Sequence, residues 1–255
     1  MYEEAEANNL DWKVKNMKWR RWDTCSMCKQ GYHGVVKHAL GWACWKTYVG
    51  RPEADEARGW AMSVLGNGLC DADHHEDAVS VKEAELAMLR RLGAPEGCIL
   101  VAQSNLAISY EKLGRDEEAL RMSRDVYSRR LNLHGEEDEE TLAAAYNHAY
   151  YLCSLQRYAE AKSLLRRTLP VARRVLGEGH RLTFKMSWKY GDALYKDAGA
   201  TLDDLREAVT SLEDVERTAR RVLGGAHPLT SVIEVELRLA RAALTARETP
   251  GPGDV

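Results

Sequence analysis

The feature that most limits what this chain can fold into is an internal repeat with a period near 42 residues. The segment Asn105-Leu-Ala-Ile-Ser-Tyr-Glu-Lys-Leu-Gly-Arg-Asp-Glu-Glu-Ala119 superposes on Asn147-His-Ala-Tyr-Tyr-Leu-Cys-Ser-Leu-Gln-Arg-Tyr-Ala-Glu-Ala161 after a shift of 42. Another such shift sets Gly191 and Leu194 under Ala149 and Leu152, and a shift of 41 upstream aligns Gly66, Leu69 and Ala78 with Ala107, Tyr110 and Ala119. Joints recur as well: Arg173-Arg174-Val175-Leu176-Gly177 with His180, Leu182 and Thr183 returns 47 residues later as Arg220-Arg221-Val222-Leu223-Gly224 with His227, Leu229 and Thr230. Self-similarity at fixed spacing outranks any local reading, and it gives about four units.

Within each unit apolar residues recur at three and four, in two stretches parted by a short polar turn such as Gly114-Arg115-Asp116 or Gln156-Arg157. That periodicity predicts a helix-turn-helix repeat, and hence an all-α chain of the α-solenoid class. The small residues Gly66, Ala107, Ala149 and Gly191 on the first helices are expected to meet Ala78, Ala119, Ala161 and Ala208 on the second, letting the axes approach closely. Pro170 falls inside a second helix and predicts a bend there. Thr230 to Glu248 reads as a final helix whose Val232, Val235, Leu237, Leu239 and Leu244 cover the end of the stack, with the remainder a frayed tail.

Composition divides the chain near residue 50. Five of seven Trp, at 12, 19, 22, 42 and 45, lie in the first fifty residues, which carry eight Lys or Arg against five Asp or Glu. A small basic head thus precedes an acidic body, although 36 basic and 39 acidic residues leave a net charge of only -3. Such a balance gives no reason to expect nucleic acid or an anionic membrane as partner. No apolar run approaches the roughly 18 residues of a membrane span, and no signal-type apolar core stands near Met1. The expected compartment is the cytoplasm, where six Cys in a chain of 255 residues do not predict a disulfide framework. The resulting division is residues 1–54 as a Trp/Cys-rich head, 55–246 as repeats plus a closing helix, and 247–255 as a disordered tail.

The repeat pattern resembles tetratricopeptide repeats, and the 42-residue period with its V-L-G-x-x-H-x-L-T joints is similar to the kinesin-light-chain-like variant. That resemblance covers residues 55–246. It implies a concave groove, lined by the first helix of every unit, that holds a peptide segment of a partner, and so a scaffold or adaptor and not an enzyme. Counting from the small residues places Ser104, Tyr146 and Trp188 on one rung, Asn105, Asn147 and Lys189 on the next, and Tyr150 and Lys185 on the flanking ones. An amide at Asn105 and Asn147 can donate to and accept from an extended peptide. Lys185, Lys189 and Lys196 would suit an acidic group on that partner, with Trp188 and the tyrosines supplying apolar contact.

The head holds a different chemistry. Cys25 and Cys28 form a C-x2-C pair followed by His33, His38 and Cys44, and two thiolates of such a turn can share one ion. With His33 and His38, or with Cys44 as alternative fourth ligand, they predict one structural Zn2+ in a tetrahedral site. The run C-x2-C-K-Q-x-Y ahead of a short helix and repeats also resembles the closing Cys pair of a RING-like module. This implies a second function, recruitment of substrates by the repeats for ubiquitin transfer, and requires a further Cys/His set that Met1 to Thr24 does not contain. The acidic cluster Asp71 to Asp77 reads as the start of a second helix, where carboxylates complement the helix dipole. No nucleophile elbow, phosphate loop or zinc-protease motif occurs.

Overall fold

A computed structural model describes Asn8 and residues 11–249; residues 250–255, the greater part of the expected tail, lie outside the described residues. Among the described residues there are eleven α-helices, a single 3-10 turn at Arg20–Trp22 and no strand beyond a lone bridge between Thr24 and Gly31. They are α1 (Trp12–Trp19), α2 (Gly34–Tyr48), α3 (Glu56–Asp71), α4 (His75–Arg91), α5 (Glu96–Lys112), α6 (Asp116–His134), α7 (Glu139–Ser154), α8 (Tyr158–Leu176), α9 (Arg181–Tyr195), α10 (Leu202–Leu223) and α11 (Pro228–Glu248). None of them is long and apolar enough to cross a membrane. The chain forms two compact units, residues 1–115 and 116–255.

The turns explain why the sequence repeats. Leaving α3, α5 and α7, the backbone turns through a left-handed residue at Asp73 (φ 63°), Gly114 (φ 71°) and Gln156 (φ 58°). The next N–H then reaches back across the helix end: His74 to Leu69 O (2.9 Å), Arg115 to Tyr110 O (2.8 Å) and Arg157 to Leu152 O (2.8 Å). Each of these closes orphan carbonyls of the helix C-terminus, which is the role of such a cap. Joints between hairpins are equally regular. Gly135, Gly177 and Gly224 adopt φ of 81°, 88° and 90°, and three residues later Asp138, His180 and His227 cap the next helix. His180 Nδ1 accepts from Leu182 N (3.3 Å) and His227 Nδ1 from Leu229 N (3.1 Å), while Asp138 Oδ2 accepts from Thr141 N (2.8 Å). A further three residues on, Thr141, Thr183 and Thr230 are all buried.

In the first unit the head helix α2 packs on α3, backbone against backbone. A Cβ on Gly68 would stand 2.7 Å from Lys37 O, and one on Gly41 would stand 3.1 Å from Leu65 Cα. Trp19, Cys44, Tyr48, Ala57, Ala61 and Val64 form the core there, with the Trp19 ring 5.1 Å from Tyr48 and 5.2 Å from Trp60. Three tryptophans of the head, Trp19, Trp22 and Trp45, thus pack into this core, whereas Trp42 stays exposed. Between α3, α4 and α5 lies a buried polar bridge: Lys82 Nζ donates to Asn105 O (3.1 Å) and Ser109 Oγ (3.0 Å), and Glu85 accepts from Ser63.

Two packing expectations change. The notch left by Gly66 is filled by Lys82 and that of Gly191 by Leu212, each one helical turn beyond Ala78 and Ala208. Helical side chains lean toward their own N-terminus, so the larger residue one turn on reaches the gap. On α11, Leu237 is buried but Val232, Val235 and Leu239 stay 36%, 42% and 49% exposed. Ile233 and Ala240 take the inward face with Leu237, so α11 closes the core with a narrower stripe than the apolar spacing suggested. Around Pro170, α8 continues without a break from Tyr158 to Leu176.

Candidate peptide-binding face and the cysteine head

In the second unit the first helices α7, α9 and α11 pack side by side. Because each starts at the same distance from its joint glycine, their side chains fall into register. Ala143, Lys185 and Val232 share a rung, then Tyr146, Trp188 and Val235, then Asn147, Lys189 and Glu236, then Tyr150, Asp192 and Leu239. On each helix these are positions i, i+3, i+4 and i+7, one face of an α-helix. The structure therefore brings together Tyr146, Asn147, Tyr150, Lys185, Trp188 and Lys189. Lys185 Nζ stands 5.4 Å from the centre of the Tyr146 ring, and Lys189 Nζ 5.4 Å from Tyr150 and 4.3 Å from Trp188.

Two of the lysines near this face are already matched by carboxylates. Lys189 is buried and its Nζ lies 2.7 Å from Asp192 Oδ2, while Lys196 Nζ is 3.1 Å from Asp192 Oδ1 and 3.1 Å from Glu236 Oε2. Tyr195 donates its hydroxyl to Glu236 as well. Two of the three lysines expected to receive an acidic group are thus neutralised by carboxylates of the chain itself. Burial pushes the Asp192 carboxyl above its ordinary value even with Lys189 beside it, and pushes the Tyr146 phenol up to about 12. Burial, with Arg181 nearby, lowers Lys185. What the face presents outward is half-buried aromatic surface, an Asn147 amide with no hydrogen-bond partner among the described residues, and the exposed apolar residues of α11. Neither Asp192 nor the α11 residues figured among the expected site residues. The 47-residue shift of the joint, which carries Lys185 to Val232 and Trp188 to Val235, holds the signal for the latter.

Ser104 and Asn105 belong to α5 in the first unit. Both are half-buried; Ser104 Oγ donates to Leu100 O (2.9 Å), and it is the backbone carbonyl of Asn105, not its amide, that accepts from Lys82. Val101 and Ile108 flank them at 47% and 41% exposure, so this helix too turns an apolar and amide face outward.

The five candidate zinc ligands are not gathered at one point. Cys25 and Cys28 do face each other across a tight turn, closed by Cys25 N to Gln30 O (2.9 Å) and Lys29 N to Cys25 O (3.0 Å), with Lys29 at φ 61°. Hydrogen bonds from the N–H groups of Cys28 and Met27, and from the Cys28 thiol, hold the Cys25 thiol below its usual value. His33 lies 85% exposed beside Asp71, 3.9 Å away. His38 Nε2 accepts from Trp42 Nε1 (2.9 Å) and its ring lies 4.9 Å from that of His74. Cys44 is fully buried among Trp19 and Tyr48. Both His38 and Cys44 are held by α2, which turns Cys44 into the core. Among the described residues no three His, Cys, Asp or Glu side chains are placed to hold a metal ion. The donors present fit half of a tetrahedral thiolate site and no more.

Comparison with known proteins bears on the fold. Residues 99–140 and 141–182 each match the family model of the tetratricopeptide repeat. Two crystal structures of kinesin light chain nearly identical TPR-like repeats from Podosopora anserina are 21% and 20% identical to this chain, with TM-scores of 0.65 and 0.64. They cover 75% and 76% of it and 88% and 90% of their own chains. BtubC (BKLC) from P. vanneervenii is 14% identical over 86% of this chain and 94% of its own, with a TM-score of 0.58. A Rap protein complexed with competence and sporulation factor is 16% identical over 84% of this chain and 59% of its own, at a TM-score of 0.51. No curated protein sequence matches the chain.

Proposed function

We propose that the chain is a protein-interaction scaffold whose second unit holds an extended peptide segment of a partner against α7, α9 and α11. The observation that carries this reading is the register of the face. Tyr146, Tyr150 and Trp188 run into the exposed Val232, Val235 and Leu239, and the open Asn147 amide lies beside them. Aromatic residues give large contact area for little entropy, and an amide can fix a peptide backbone. The tetratricopeptide match is consistent with it, as is the complexed Rap protein of the same fold. Since Lys189 and Lys196 are paired internally, the favoured segment carries apolar side chains, and Lys185 is the one lysine of the cluster open to a carboxylate.

The test is capture from a tiled peptide array by the whole chain. Asn147→Ala with Val235→Asp and Leu239→Asp changes half-buried or exposed positions that the core does not use, so the variant should fold with unchanged circular dichroism. It should lose at least ten-fold in affinity for the captured peptides. Undiminished capture by that folded variant would place binding elsewhere.

A further inference from the structure

A cavity of about 340 Å³ opens between α6, α7 and α8, and its polar lining is set by Arg124, Ser128, His148, Glu160, Ser163 and Arg167. It is built largely from second helices, whereas the peptide-binding face belongs to first helices, so the two readings stand apart. At the start of α8 Arg157 holds Glu160 through Nε to Oε1 (2.6 Å) and a second nitrogen to Oε2 (2.8 Å), and Arg166 of α8 holds Glu207 of α10 at 2.9 Å. Both oxygens of the single carboxylate lining the cavity are therefore engaged. Arg167 is held by the Tyr127 hydroxyl alone (3.2 Å), and neither it nor Arg124 has a carboxylate partner among the described residues.

The imidazole shows what field results. Ser123 Oγ donates to Leu120 O (2.9 Å) and lies 3.0 Å from His148 Nδ1. With that proton given to Leu120, the hydroxyl oxygen can accept from Nδ1–H, the tautomer that leaves Nε2 with a lone pair. Burial, and then the positive charges of Arg124 and Arg157, push His148 down to about 4, with Glu160 only partly opposing them.

We propose that this cavity binds a phosphate monoester or free phosphate, gripped by Arg124 and Arg167, with the Ser128 and Ser163 hydroxyls as further donors and His148 as proton acceptor. Guanidinium groups match phosphate geometry and remain charged at any working pH, and two of them without internal carboxylates leave the required charge in place. The neutral Nε2 accepts the remaining hydroxyl proton of a hydrogen phosphate, or takes up a proton from solvent once the dianion has offset the arginines. No bond to phosphorus is made or broken.

Binding of inorganic phosphate to the whole chain, followed by the His148 imidazole resonances in a pH titration, tests the site. Phosphate should raise the His148 midpoint by at least one pH unit. The folded double variant Arg124→Gln/Arg167→Gln should weaken phosphate at least ten-fold, while Arg217→Gln, which removes an exposed pair with Asp214, should leave it unchanged. A phosphoserine peptide that binds ten-fold more tightly than inorganic phosphate identifies a phosphorylated side chain as the source, and equal affinity identifies the free ion. A His148 midpoint unmoved by phosphate, or equal phosphate binding by the double variant, would overturn the assignment.

Discussion

Lys189 Nζ and Asp192 Oδ2 stand 2.7 Å apart on one turn of α9, with residue exposures of only 8% and 2%. Attraction at short range in a dry setting offsets the cost of removing both charges from water only while both are present. Asp192→Asn should therefore destabilise the chain by about 3–5 kcal/mol, because the ammonium is left buried without its partner. Lys189→Met combined with Asp192→Leu should recover most of that loss. Urea midpoints of the three proteins check it.

Acid should affect the two units in opposite senses. The folded-state value of His148 lies near 4, below its ordinary 6.5, so between those limits the unfolded chain binds more protons. Its contribution is complete above pH 6.5 and is lost as pH falls toward 4, by about 1–2 kcal/mol after allowing for partial exposure. Glu85 is raised to about 6 from 4.5, chiefly by burial, so its contribution is present below pH 4.5 and is lost as pH rises through 6. Amide exchange should show α7 losing protection on acidification to pH 4.5 while α4 gains it, and His148→Gln should flatten the response of α7 alone.

Gly191 faces Leu212 with no room to spare: an added Cβ would lie 2.7 Å from Leu212 Cγ, and Leu212 is fully buried. Gly191→Ala should cost about 1–3 kcal/mol through overpacking, and Leu212→Ala about 2–5 kcal/mol through the cavity it leaves. Together the two should cost less than their sum, since the alanine methyl enters the space that the leucine vacates. Thermal melts of a double-mutant cycle measure that coupling.

Cysteine reactivity should follow hydrogen bonding and burial. Cys25 is held below its usual value by N–H donors in an open turn, whereas burial pushes Cys153 up to about 11. Brief iodoacetamide treatment of the native chain at pH 7.5 should label Cys25 at least ten-fold faster than Cys153 or the buried Cys44, as read by peptide mass mapping. Equal labelling of Cys25 and Cys153 would contradict the turn geometry.

The helical repeat was legible because each repeating element satisfies backbone groups locally. The joints at Gly177–His180 and Gly224–His227 share their residue types, whereas after Gly135 it is Asp138 that does with a carboxylate what His180 and His227 do with an imidazole. The backbone demands an acceptor at that position, and residue identity understates the likeness. Helical spacing likewise sets Lys185 over the Tyr146 ring and Lys189 over that of Trp188. The head is less local. Spacing along the chain brings Cys25 and Cys28 together, while the fate of His38 and Cys44 depends on which face of α2 packs against α3.

What the sequence determined by itself was therefore everything set by contacts of five residues or fewer: helices, left-handed turn residues, caps and the period that multiplies them. Only tertiary structure decided which charges remain open. Lys189 spends its charge on Asp192 within its own helix, but Lys196 and Tyr195 reach Glu236 about forty residues away. Arg166 likewise finds Glu207, whereas Arg124 and Arg167 find no carboxylate among the described residues. Coulomb attraction depends on distance in space and on burial, and neither is fixed until the helices have packed.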